Sequence, residues 1–67
     1  MNAEQLLETL NQKLLTHDWY YMYSDDSGVY RRGMEQADDI RALMTQAKSL
    51  GCELRAKTLY NGYKPSV

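Results

Sequence analysis

The sequence predicts an α+β fold: two helices packed on one face of a small, mostly antiparallel three-stranded sheet, in the order α-β-β-α-β. Three observations predict it. Apolar residues recur at helical spacing up to residue 15 and again between residues 37 and 50. The run Trp19-Tyr20-Tyr21-Met22-Tyr23 is answered by Val29-Tyr30-Arg31-Arg32 across Ser24-Asp25-Asp26-Ser27-Gly28, the pattern of a hairpin. After Gly51 the pattern shortens to period two.

The first helix spans about residues 3–15. Asn2 is a capping residue, and Gln5 three positions on completes a capping box. Ala3, Leu7, Leu10 and Leu14 form the apolar stripe, widened by Leu6. Glu4 and Glu8 stand where the helix dipole favours acids. Thr16-His17-Asp18 breaks the pattern, and the hairpin follows over about residues 19–32. Its turn lies at residues 25–28, where Asp, Ser and Gly offer local hydrogen bonds and tolerance of positive φ.

Gly33 ends the second strand and opens the second helix. Ala37, Ile40, Leu43, Met44, Ala47 and Leu50 keep helical spacing, and Gly51 supplies a stop. In the last strand Cys52, Leu54, Ala56 and Thr58 alternate with Glu53, Arg55 and Lys57. Asn61-Gly62 signals a turn, and the tail beyond is loose. A right-handed crossover through the second helix would lay the last strand parallel to the second strand. Antiparallel pairing with the first strand is preferred, because that aromatic strand is the better central one. The expected core is Leu7, Leu10, Leu14, Ile40, Leu43, Ala47 and Leu54, with Cys52 on its side.

Length restricts the functions open to this chain. Its 67 residues make one domain, and a chain of that size buries only about 60% of its unfolded surface. Cys52 is the lone cysteine, so no internal disulfide forms, and a reducing, cytoplasmic setting is expected. His17 is the lone histidine, which excludes a cysteine-histidine metal framework. No segment is apolar enough for a membrane span, and the first residues lack the basic and apolar parts of a secretion signal.

The formal net charge is −1, but it is unevenly spread. Residues 1–30 carry five acids against Lys13, and residues 40–67 carry five bases against Glu53. Such asymmetry suits two faces with different partners, a self-complementary homodimer, or two solvated faces.

Both faces of the expected hairpin carry rings. With an even loop, Trp19, Tyr21 and Tyr23 share a face with Tyr30 and Arg32, and Tyr20 and Met22 share the other with Val29 and Arg31. The second face suits the helices. The first would be an aromatic platform edged by Arg31 or Arg32, built from residue types enriched at binding hot spots. The expected partner-binding residues are therefore Trp19, Tyr21, Tyr23, Tyr30, Arg31 and Arg32. The same rings stack on nucleic-acid bases, so a nucleic-acid-binding module is the alternative. Acids at positions 25, 26, 35, 38 and 39 surround the arginines and oppose phosphate. The alternative to burying the first helix's leucine stripe in the monomer is pairing with a second copy.

Tyr23-Ser24-Asp25-Asp26 is similar to the Tyr-x-Asp-Asp hairpin turn of reverse transcriptases, in which paired aspartates hold magnesium for nucleotidyl transfer. The resemblance covers four residues. That site needs a further aspartate on a neighbouring strand and a much larger chain; here the nearest third acid is Asp18. The spaced acids of a calcium-binding EF-hand loop are missing as well. His17-Asp18 has no serine or cysteine nucleophile placed to use it. The sequence thus predicts a small non-enzymatic module that binds and modulates a larger protein, with no catalytic residue, metal or cofactor.

Overall fold

A computed structural model describes residues 1–66 of the chain. Each helix begins or ends where a specific hydrogen bond permits it. At Asn2 the capping box forms: its side chain accepts from the Gln5 N–H at 2.8 Å, and Gln5 accepts from the Asn2 N–H at 3.0 Å. Helix α1 runs over Ala3–Thr16 and buries Leu6, Leu7, Leu10 and Leu14. A 3-10 turn follows at Tyr21–Tyr23.

Helix α2 covers Ser27–Ser49. Asp26 starts it by accepting from the N–H groups of Gly28 at 2.8 Å and Val29 at 3.1 Å, as a capping aspartate does. At its other end Gly51 turns the chain at φ 74, a conformation open to glycine. The Gly51 N–H donates to the Lys48 carbonyl and the Cys52 N–H to that of Ala47. Those two bonds make a Schellman motif, and they tuck Cys52 into the core beside Ala47.

Helix α3 is Glu53–Tyr63. In its first turn Lys57 bonds Glu53 at 3.0 Å and holds that carboxyl below its ordinary range. The pair is intact at neutral pH and is lost as acid protonates Glu53 through its lowered pKa.

The three helices pack pairwise around one core. Leu6, Leu10 and Leu14 are its largest fully buried side chains, and Ile40, Leu43, Ala47, Cys52 and Ala56 complete it. Small residues at positions 47, 52 and 56 let α3 lie close to α2. The longest dimension, 38 Å, matches α2, whose 23 residues at about 1.5 Å each span nearly that length.

The expected sheet is absent: no strand occurs among the described residues, and the fold is all-helical. Positions 29–32, expected in a strand, belong to α2, because Asp26 is a helix cap rather than a hairpin-turn residue. The hairpin over residues 19–32 therefore does not form, nor does the turn similar to that of reverse transcriptases. The alternation after Gly51 also misled. Cys52, Ala56, Leu59, Tyr60 and Tyr63 share one helical face and reach the core. Leu54, expected inside, is 79% exposed. Leu, Arg, Ala and Lys are strong helix formers, and Thr58 is the only β-branched residue in the segment. Asn61-Gly62 lies inside α3, and Tyr63 donates its hydroxyl to Asn11 at 2.8 Å. Val67 of the expected loose tail lies outside the described residues.

The split charges meet within the chain at one point, where Arg55 pairs with Glu4 at 2.9 Å; Lys13 pairs with Asp39 at 3.5 Å. Both pairs are exposed and contribute little to stability. The α1 leucine stripe is consumed by the monomer's own core. No described helix is long and apolar enough to cross a membrane.

Leu10→Ala should lower stability by about 2–5 kcal/mol, measured by thermal or denaturant melting. An unchanged melt would remove Leu10 from the core. Asp26→Ala should cost about 1 kcal/mol in the same assay, whereas Asp26→Asn, which still caps, should cost little. Equal losses from both would show that the charge matters and the cap does not.

Candidate functional site

Residues 17–26 link α1 to α2, and hydrogen bonds hold the segment at several points. Gln36, on α2, accepts the Asp18 N–H through Oε1 at 3.0 Å. The same oxygen lies 2.9 Å from His17 Nδ1. An amide oxygen has no proton to give, so Nδ1 donates. The Asp18 carboxylate accepts the Tyr20 N–H at 3.0 Å. Tyr20 and Tyr21 carbonyls accept from Tyr23 and Ser24 N–H groups, and Ser24 Oγ accepts from Asp26 N–H at 3.1 Å. His17 and Asp18 are thereby structural. They do not form a general-base pair, because the carboxylate is turned to the backbone.

Tyr21 anchors this linker. Its side chain lies directly over Gly33 in the second turn of α2, where any Cβ would collide with Tyr21 Cβ and Cγ. A glycine inside a helix weakens it, so its presence marks a close packing contact. Rings then follow one another across the molecule. Tyr30 meets Tyr21 at 5.7 Å between centroids, Tyr21 meets His17 at 5.8 Å, His17 meets Trp19 at 4.8 Å and Trp19 meets Tyr60 at 5.6 Å. These separations suit edge and tilted ring contacts. The band joins the start of α2 to the end of α3.

Outside that band the turn presents apolar surface to solvent. Tyr23 is 83% exposed, Met22 66% and Tyr20 54%. Tyr20 and Tyr23 pair at 6.5 Å. Together with Trp19, Tyr60, Lys64 and Pro65 these residues enclose a groove of about 240 Å³. The Lys64 ammonium stands 5.9 Å from the Tyr60 ring centre.

The structure divides the six residues expected at the site. Trp19 and Tyr23 line the groove. Tyr21 is half-buried against α2 with Tyr30 beside it, and Tyr30 keeps a partly exposed ring. Arg31 and Arg32 are exposed on α2 and do not line the groove. The flat platform expected from strand alternation does not exist, because the rings come from a 3-10 turn and two helices. Tyr20, Met22, Tyr60, Lys64 and Pro65 were missed. Alternation assigned Tyr20 and Met22 to the core face. The spacing of Cys52, Ala56 and Tyr60, read as helical, would have brought Tyr60 toward the core and Lys64 one turn beyond it.

Among the described residues no group of three His, Cys, Asp or Glu side chains is placed to hold a metal ion. The chain matches no protein-family model, no curated protein and no solved structure.

Gly33→Ala should be destabilising despite alanine's better helix propensity. Overpacking costs about 1–3 kcal/mol, against about 1 kcal/mol gained by the helix. Trp19 emission should shift with it as the turn moves. A variant as stable as the parent, with unchanged emission, would show that Tyr21 does not rest on Gly33.

Proposed function

We propose that this chain is a non-enzymatic module that docks on a larger protein through the aromatic turn and modulates it. The observation that carries the reading is the placement of Tyr20, Met22 and Tyr23. Three large apolar side chains stand more than half exposed on a segment whose backbone is held by hydrogen bonds from the Asp18, Tyr20, Tyr23 and Ser24 N–H groups. A small domain gains by burying such groups, yet this core is made of leucine, isoleucine and small residues. Tyr supplies contact area with few rotatable bonds, and a pre-set backbone lowers the entropy lost on association. A buried lone thiol at Cys52 fits a cytoplasmic setting.

The second reading is nucleic-acid binding through Arg31, Arg32 and Tyr30, favoured by the exposure of all three on α2. Neither arginine has an ion-pair partner among the described residues. The near-neutral net charge weighs against it.

Tyr23→Ala should weaken the captured complex by about 1–4 kcal/mol, while moving the melt by no more than about 0.5 kcal/mol. Affinity capture from native cells with parent and variant, each with and without nuclease, checks this. Capture that survives nuclease and fails with the variant supports docking on protein. Capture that nuclease abolishes supports the second reading.

A further inference from the structure

The groove beside the aromatic turn has a composition that selects its occupant. The T-shaped Trp19–Tyr60 pair and the Tyr20–Tyr23 pair supply its rings. Faces of this kind pack well against proline rings, which are apolar, compact and conformationally fixed. A polyproline II segment makes no internal hydrogen bonds, so its carbonyls are free for donors such as tyrosine hydroxyls and the indole N–H.

The chain's own backbone supplies a second observation. After α3, Lys64 adopts φ −62 and ψ 127, within the polyproline II region. Proline at the next position imposes this, since it disfavours a helical residue before it. Pro65 is half-buried and lines the groove with the rings. The groove is thus already in contact with a proline carried on an extended chain.

Charge adds a third. Lys64 lies at the groove with its ammonium over Tyr60, and among the described residues no carboxylate pairs with it. An ammonium there repels a cationic ligand and attracts an acidic one. We propose that the groove takes a proline-containing polyproline II segment of a partner protein, with an acidic residue set against Lys64. This rests on the docking function proposed above and names the partner's chemistry.

Trp19 is the only tryptophan and lines the groove, so its emission reports occupancy. The full chain is titrated with a synthetic peptide of consecutive prolines flanked by glutamates, with the same peptide carrying alanine for proline, and with one carrying glutamine for glutamate. The proline peptide should give a saturable change in emission, and the alanine peptide should bind at least about tenfold more weakly. Tyr23→Ala and Met22→Ala, both at exposed side chains that leave the fold intact by circular dichroism, should each weaken the proline peptide, Tyr23→Ala by about tenfold or more. Lys64→Glu should weaken the glutamate-flanked peptide and leave the glutamine-flanked one unchanged.

Absence of a saturable change, or equal binding of the proline and alanine peptides, overturns the proposal. So does a single-stranded oligonucleotide that moves Trp19 emission where the proline peptide does not. If the peptide fails while Tyr23→Ala still abolishes nuclease-resistant capture, docking on protein stands and the polyproline ligand falls. If Tyr23→Ala leaves capture intact, the docking reading falls with it.

Discussion

Tyr21 can lie against α2 only because position 33 has no side chain. On that contact depends the course of the whole linker between α1 and α2. With Tyr21 seated, Trp19 is carried toward α3 and Tyr20, Met22 and Tyr23 are left facing outward. The glycine weakens α2 locally and is compensated by the close approach it permits. Gln36, three residues further along the same helix, fastens the other end of the linker through His17 and Asp18. Glycine and glutamine one turn apart thus turn a connecting loop into a fixed element.

The core and the aromatic band serve different purposes. Leucines from α1 fill the centre, and small residues on α2 and α3 allow the helices to approach. Rings are too bulky for such a thin interior and are displaced to the end where the linker passes. There they touch edge to face and join α2 to α3 through Tyr30, Tyr21, His17, Trp19 and Tyr60. The inner rings support the fold, and the outer ones are available for contact. One short sequence, residues 19–23, contributes to both sets because a 3-10 turn distributes successive side chains around its axis rather than between two faces.

Local signals were readable wherever a hydrogen bond closes over a few residues. The capping box at Asn2 and Gln5, the leucine stripe of α1, the apolar spacing of residues 37–50 and the stop at Gly51 all appear in the structure. Two segments misled for separate reasons. Asp25 to Gly28 has the composition of both a hairpin turn and a helix start. Only the direction taken by Val29 and Tyr30 separates them, and Asp26 caps a helix. Residues 52–58 alternate, yet Leu59, Tyr60 and Tyr63 extend a helical face that begins at Cys52. Gly33 reads locally as a boundary because a glycine's local effect is to break structure; its packing effect needs the neighbour, twelve residues away.

The sequence by itself determined the first amphipathic helix, the apolar face and end of the second, a surplus of rings in residues 19–30, and a cysteine and histidine count of one each. Those follow from composition and from interactions spanning a few positions. Local signals also carried the start of α2 at Asp26 and the helical spacing of residues 52–63, though they compete there with turn and strand patterns; tertiary structure alone decided that Tyr21 rests on Gly33 and that Tyr60, Lys64 and Pro65 meet Trp19 and Tyr23 at one groove. The physical reason is the range of the forces involved. Caps and periodicity act within a turn or two, whereas the groove depends on how α3 docks on the core and on how Tyr21 seats on a glycine twelve residues away.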